Sequence, residues 1–336
     1  MKTTIIAEAG VNHNGQLSKA KKMIEIAAKS GADYIKFQIF SANNLATKKS
    51  IKAKYVKKNM KSKISNFQML KKLEFSFTKF QILKKLCKKN NINFLLSPFS
   101  IEDVKLIKRM NLSTIKIPSG EINNIPFLRF IGSLKKKIIM STGMSNIFEI
   151  KRAIDTLTKS GTNKKKITLL QCNTEYPTPY RDVNLLGIKF LKNKFNVKVG
   201  YSDHTIGYEA SIAAVALGAE VIEKHFTLNK NLPGPDHKSS LNYEELKKMI
   251  FFIRNVEKAL GKYEKKITKS EKKNLKIVRK SIVTIKKIKK GDKFTISNLS
   301  VKRPGTGISP VFWDKLIGKK AKKNYQSDKL ISSNEI

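Results

Sequence analysis

Cysteine, tryptophan, histidine and acidic residues are all scarce in this chain of 336 residues. It holds two cysteines, one tryptophan and four histidines, and 25 acidic residues face 69 basic ones. Cys87 and Cys172 are too few and too far apart for a disulfide framework, so each reads as a reduced, packed thiol. No run of about 18 apolar residues occurs, and the opening MKTTIIAEAG holds no apolar stretch of signal-peptide length. The expectation is a soluble, cytoplasmic protein without a membrane partner. Arginine is scarce as well, with seven residues at positions 109, 129, 152, 181, 254, 279 and 303. The formal net charge of +44 invites a nucleic-acid-binding reading. Nucleic-acid readers, however, gather arginine and aromatic side chains in one patch. Here lysines run along the whole chain and fall on helix faces, as in Lys84, Lys85, Lys88 and Lys89. We expect a solvated basic surface that steers anions toward a cleft, and no nucleic-acid partner.

What is present centres on residues 199–238. Two short apolar runs, 197–201 and 220–224, each lead into a polar cluster with a histidine, His204 and His225. Between them, Ala210, Ala213, Ala214 and Leu217 recur at helical spacing. This is a strand–helix–strand unit with an imidazole after each strand. Adjacent strand ends lie about 5 Å apart, so the two rings would converge. They are either a pair of hydrogen-bonded structural residues or two ligands of a divalent metal.

The same alternation fills the first 230 residues. Strands are expected at Thr3–Ala9, Tyr34–Ile39, Asn93–Phe99, Thr114–Ser119, Lys137–Thr142 and Ile167–Cys172, with two more near Val197 and Val221. Helices separate most of them, the first closed by Gly31, whereas the stretch after Ile39 reads as a long loop before a helix at 77–90. Eight strand–helix units in about 260 residues point to a parallel α/β fold closed as a (β/α)8 barrel. A helix at Tyr243–Leu260 would finish it. The expected division is a catalytic barrel over 1–261, a charged linker over 262–278 and a small, mainly β domain over 279–336. A domain that small has little core of its own and gains stability by docking.

Active sites of such barrels lie at the carboxyl ends of the strands. Read in order, those ends offer Glu8, Lys36, Gln38, Ser97, Lys116, Ser119, Glu121, Ser141, Tyr176, Ser202, His204 and His225, with Asp236 in the loop beyond. A lysine in a barrel strand is costly unless paired, so Lys36 and Lys116 either snorkel from the rim or cradle an anion. Two ammonium groups among recurring serine hydroxyls suit a phosphate. Two imidazoles alone leave a metal under-coordinated, as a catalytic site requires. Glu8 and Glu121 are placed to handle protons or to pair with the lysines.

The segments IIAEAGVNHNG, YIKFQ, FLLSPF, IKIPSGEINNIPFL, IIMSTGM, NTEYPTPYRDVNL, GYSDHTIG, VIEKHFTLNKNLPGPDHK and VKRPGTGIS together resemble the sialic acid synthases, from about residue 3 to 330. That resemblance implies condensation of phosphoenolpyruvate with an N-acetylated mannose-type sugar, giving a nonulosonic acid and phosphate. It implies His204 and His225 as ligands of Mn²⁺, or of Mg²⁺ in its place. Lys36, Ser97, Lys116, Ser119, Ser141 and Ser202 would hold phosphoenolpyruvate, and Gln38, Tyr176 and Asp236 the amino sugar. Glu8 would sit by the metal and the sugar hydroxyls, and Glu121 by the reacting groups or attacking water. The small domain resembles the antifreeze-like (SAF) module, which implies a domain-swapped homodimer whose Arg303 reaches the sugar's N-acetyl group. The resemblance leaves two acceptors open. N-acetylmannosamine, giving N-acetylneuraminate, is favoured over 2,4-diacetamido-2,4,6-trideoxymannose, giving N,N′-diacetyllegionaminate.

Overall fold

The computed structural model describes residues 2–60 and 64–335. The chain divides into two compact units, one ending at Gly261 and the other beginning at Lys262. The first is built on eight parallel strands: β1 (Thr4–Gly10), β2 (Tyr34–Ile39), β3 (Asn93–Pro98), β4 (Thr114–Ile117), β5 (Lys137–Ser141), β6 (Ile167–Cys172), β7 (Lys198–Asp203) and β8 (Val221–His225). Their hydrogen-bonded order is β3-β2-β1-β8-β7-β6-β5-β4. The two end strands, β3 and β4, lie side by side, so the sheet comes round on itself as a (β/α)8 barrel.

Alternation along the strands explains how this barrel is filled. Ile5, Ile35, Leu96, Ile115, Met140, Leu169, Val199 and Ile222 belong to the large core shared with the surrounding helices. Ile6, Leu95, Ile139, Leu170 and Val221 form a separate buried cluster. Each of these five lies two residues before a polar residue of the strand ends: Glu8, Ser97, Ser141, Cys172 and Glu223. Residues two apart share a face, so the apolar five form one layer of the barrel interior and the polar set forms the layer above it.

The surrounding helices are α1 (Leu17–Lys29), α2 (Ala42–Leu45), α3 (Lys54–Asn59), α4 (Asn66–Leu73), α5 (Phe77–Lys89), α6 (Ile101–Arg109), α7 (Ile125–Ser133), α8 (Ile147–Lys159), α9 (Gly187–Phe195), α10 (Glu209–Ala216) and α11 (Tyr243–Leu260). Side-chain caps start several of them. Ser100 accepts from the Asp103 amide, and Asn146 and Asn242 form capping boxes with Glu149 and Glu245. The stretch after β2, expected as a loop, instead carries α2, α3 and α4. Val56, Met69 and Leu73 from it bury against Val11 and Phe40. The smaller unit contains α12 (Lys272–Val278), an antiparallel pair of β9 (Ser281–Thr284) with β10 (Leu299–Lys302), and α13 (Trp313–Leu316). Helix α12 falls inside the expected linker. The Lys276 carbonyl accepts from the Gly305 amide and the Val278 carbonyl from Arg303 Nε, which fastens this lysine-rich helix to the small unit.

One charged pair is sealed on the helix side of the β7–β8 seam. Lys224 and Asp203 are both fully buried, with Nζ and Oδ2 3.1 Å apart. Lys224 also donates to the Thr205 carbonyl at 2.7 Å, while Asp203 accepts from Ser211 Oγ, the Thr205 amide and the Tyr201 hydroxyl. Breaking a buried pair on one side costs about 3–5 kcal/mol, whereas removing both charges costs far less. Lys224→Met should therefore destabilise the protein by about that amount, and adding Asp203→Asn should restore part of it. Chemical denaturation of both variants checks this; a single variant as stable as the wild type would remove the pair from the fold's energetics.

Candidate active site

Strand register brings the polar residues together. Glu8 lies opposite Lys36 on β2 and opposite His225 on β8, and Ser202 on β7 lies opposite Glu223. Lys36 Nζ donates to Ser97 Oγ at 2.9 Å and stands 3.1 Å from Glu8 Oε1 and 3.5 Å from Glu223 Oε2. Lys116 Nζ donates to Ser141 Oγ at 2.7 Å and stands 3.6 Å from Glu223 Oε1. Ser202 Oγ donates to the same carboxylate at 3.0 Å. Both lysines therefore point inward and are buried, and Glu223 bridges them. This cluster lines a cavity of about 170 Å³ together with Gln38, Ser119, Cys172, Tyr176, His204 and His225.

Burial and mutual charge set the protonation of this cluster. Burial pulls the Lys36 ammonium down, but the facing Glu223 and Glu8 carboxylates outweigh it and hold its pKa above the usual value. Burial also dominates at Lys116 and lowers its pKa, against Glu223 and with Lys36. At Glu223 burial is outweighed by the two ammonium groups, so the carboxylate ionises more readily than usual. Glu8 is different: burial pushes it up to about 7, with Lys36 opposing. The interior thus holds one firm carboxylate between Lys36, held as the cation, and Lys116, which gives up its proton more easily than usual, and one carboxyl placed to exchange a proton near neutrality.

The histidines stand beside it with ring centroids 5.6 Å apart. His204 Nδ1 is 2.5 Å from the Asn173 carbonyl, which can only accept, so the proton sits on Nδ1 and Nε2 keeps its lone pair. His225 Nδ1 is buried without a partner. Burial lowers His204 to about 4 and His225 well below the usual histidine value, so both rings are neutral. Gly10, at φ +50°, allows the close approach. A Cβ there would meet His225 Cε1 at 3.2 Å and Glu8 Oε1 at 3.3 Å. Tyr176 stacks on His204 at 4.0 Å and meets His225 edge-on at 5.6 Å.

Two neutral imidazoles, one with its tautomer fixed and one with an orphaned nitrogen, fit a divalent cation whose shell is completed by substrate and water. No set of three histidine, cysteine or carboxylate side chains suited to a metal occurs among the described residues. Any ion held here would keep open positions.

Of the residues read from the sequence, Glu8, Lys36, Gln38, Ser97, Lys116, Ser119, Ser141, Tyr176, Ser202, His204 and His225 line this one cavity. Asp236 lines an adjoining chamber with Gln38, Tyr176 and His225; its Oδ1 is buried and unpartnered, and burial pushes its carboxyl up to about 7. Glu121 lines neither. Strand β4 stops at Ile117, the 3₁₀ turn Ser119–Glu121 follows, and Asn124 Nδ2 donates to Glu121 Oε2 at 2.7 Å. Arg303 belongs to the smaller unit, exposed, with its Nε on the Val278 carbonyl. Glu223 was missed. Its signal was available: it lies two residues before His225 and so shares that histidine's inward face. Cys172 was read only as a packed thiol; it lies in the cavity, 3.8 Å from Ser119 Oγ.

Because Glu223 alone separates two buried ammonium groups on that side, Glu223→Gln should cost about 3–5 kcal/mol of stability in the ligand-free protein. Inorganic phosphate should raise the melting temperature of this variant more than that of the wild type. Equal stability of the two proteins would show that the bridge carries no such weight.

Comparison with known proteins places this geometry in a family. The NeuB family model matches residues 23–265, and the SAF domain model matches residues 279–336. The N,N′-diacetyllegionaminic acid synthase of Campylobacter jejuni is 53% identical over 330 residues, covering 98% of this chain and 99% of that protein. The synthase of the same name from Legionella pneumophila is 41% identical, covering 95% and 90%. The crystal structure of N-acetylneuraminic acid (sialic acid) synthetase from Leptospira borgpetersenii superposes with a TM-score of 0.73 at 33% identity, covering 82% of this chain and 90% of that one. With the strand-end residues gathered as described and both of its units matched in order, the chain belongs to the NeuB family of sialic acid synthases.

Proposed function

We propose that this enzyme condenses phosphoenolpyruvate with an N-acetylated mannose-type aldehyde and water, giving a nonulosonic acid and phosphate. The observation that carries the reading is the pair of buried lysines bridged by Glu223 immediately beside two neutral histidines. Lys36 and Lys116, with Ser97, Ser119, Ser141 and Ser202, bind the phosphate and carboxylate of phosphoenolpyruvate, each ammonium as a point charge and each hydroxyl as a donor. The ligand's charge would share with Glu223 the balancing of the two lysines.

Carbon 3 of phosphoenolpyruvate bonds to the aldehyde carbon while water adds at carbon 2, and the bond from carbon 2 to the phosphate oxygen breaks. Tyr176, packed over both imidazoles, keeps bulk water from the reacting carbons. Glu8, whose carboxyl burial pushes up to about 7, holds a proton that it can give to the developing hydroxyl. His204 and His225 would hold a divalent cation, Mn²⁺ or Mg²⁺, which would supply Lewis-acid polarisation of the aldehyde oxygen. Gln38, Tyr176 and Asp236 contact the amino sugar. We further propose a homodimer in which Arg303 of one copy reaches the sugar side of the other, in line with the match to the SAF domain.

For the acceptor, identities of 53% and 41% to two diacetyllegionaminic acid synthases favour 2,4-diacetamido-2,4,6-trideoxymannose over the N-acetylmannosamine favoured from the sequence alone.

Phosphate release from phosphoenolpyruvate is the test. It should require one of these two sugars, disappear with a chelator and return with Mn²⁺. His225→Ala should lower turnover by at least about 100-fold while leaving the far-ultraviolet spectrum intact. Release that ignores the sugar, the chelator and this substitution would overturn the reading. Arg303→Ala should raise the KM for the sugar at least about tenfold and leave that for phosphoenolpyruvate within about twofold. A parallel rise in both would remove Arg303 from the sugar side.

A further inference from the structure

The barrel interior has a second cavity, at the amino ends of the strands. It measures about 270 Å³, and Thr4, Tyr34, Thr114, Lys137, Thr168 and Lys198, each the first or second residue of its strand, line it. Its floor is the apolar layer: Ile139 and Val221 line the cavity, and Tyr34 packs against their cluster. Ile139 stands two residues after Lys137 and two before Ser141, on one face of β5. The layer therefore separates this cavity from the one that holds Lys36 and Lys116.

Lysine is abundant along this chain, so a lysine rim alone signifies little. Three of the rim lysines are engaged. Lys2 pairs with Asp33 at 2.9 Å, Lys198 with Glu220 at 3.6 Å, and Lys166 donates to the Lys135 carbonyl at 3.0 Å. Glu220, the one carboxylate among the described lining residues, is also met by Lys192 at 3.3 Å, so its charge is already matched. The side chains of Lys137 and Lys165 have no partner among the described residues. Thr114 lies opposite Lys137 in the β4–β5 register. It is only 5% exposed, and its Oγ1 is buried without a hydrogen-bond partner. A hydroxyl buried in this way costs stability, and an oxyanion in the cavity would supply the missing acceptor.

We infer that this cavity is a second ligand site, for an organic monophosphate with an apolar body. The phosphate lies between Lys137 and Lys165, two uncompensated point charges, and accepts from the Thr114 hydroxyl. The carbon skeleton rests on Tyr34, Ile139, Val221 and the aliphatic stems of the lysines. A rim of one charge sign over an apolar floor concentrates such anions from solution.

Lysine acetylation of the full chain, read by mass spectrometry, tests the site with phenyl phosphate as the probe and inorganic phosphate beside it. Phenyl phosphate should slow acetylation of Lys137 and Lys165 saturably, by about threefold at twice its dissociation constant, and leave the exposed Lys21 on α1 and Lys247 on α11 unchanged. Inorganic phosphate, which has no body to rest on the floor, should protect the same two lysines less. Lys137→Glu should abolish protection of Lys165. Thr114→Val should weaken binding about tenfold and leave the ligand-free protein at least as stable as the wild type, because it removes a hydroxyl that has no partner. Absence of protection, equal slowing at all four lysines, or protection that survives both substitutions overturns the site. Equal protection by the two phosphates overturns the organic ligand class. Should Thr114→Val fail to fold, judged by circular dichroism, Lys137→Glu, at an exposed position, still decides. The readout is binding rather than turnover, so no outcome bears on the condensation reading.

Discussion

A carboxylate held between two ammonium groups inside a barrel is the constraint on which the rest of the molecule depends. Taking each ion out of water costs several kcal/mol, and only close, well-oriented partners offset that. Glu223 meets Lys36, Lys116 and Ser202 only because β8, β2, β4 and β7 present their ends at one level. A slip of one residue in any of these strands would turn its charged side chain to the opposite face. The register pairs Glu8 with Lys36 and with His225, and Ser202 with Glu223; they are requirements of the charge cluster as much as of the sheet. The apolar layer of Ile6, Leu95, Ile139, Leu170 and Val221 seals the interior beneath and keeps the local dielectric low.

The same low dielectric decides the histidines. Burial disfavours a protonated imidazole at either position, outweighing the pull of Glu223 and Asp203 at His204, and at His225 the nearby His204 and lysines add to it. Both rings are accordingly neutral, a state in which imidazole nitrogens can act as ligands. The Asn173 carbonyl chooses which nitrogen of His204 stays free, and Gly10 leaves room for His225. An ion at this point would compete with the lysines for anionic ligands. That arrangement suits a site in which one anionic reactant is held by lysines and a neutral one is activated alongside.

Much of this was legible in the sequence, for a physical reason. Parallel strands buried on both faces read as apolar runs, so Lys36 and Lys116 stood out as exceptions that burial had to explain. Glu223 did not stand out. In Val221–His225 the charged residues alternate with no clear apolar face, because Glu223 points into the barrel and Lys224 into the helix layer, and both are buried. The excursion carrying α2, α3 and α4 was opaque for another reason. Helices of four to eight residues have no stability of their own, so their apolar residues mark no period long enough to read. They exist because Val56, Met69 and Leu73 find Val11 and Phe40, a contact that only the tertiary structure reveals. Glu121 could not be placed from the sequence for a further reason: it lies past the strand in a 3₁₀ turn, where its carboxylate accepts from Asn124.

The two chambers then explain each other. A highly charged reactant needs fixed cations and hydroxyls around it, and a larger neutral one needs room beside them; two adjoining spaces offer both. The fold separates the two demands by origin. The lysine-lined cavity is made by strand ends, whose geometry the barrel fixes, and the adjoining chamber is walled largely by the segment between β2 and α5. Only Gln38, Tyr176 and His225 line both. On the proposed reaction, two reactants held in the two spaces would meet at this shared boundary, beside His225 and Tyr176. Gln38, Tyr176 and His225 are thus the side chains through which the two spaces communicate, and a change at any of them alters both.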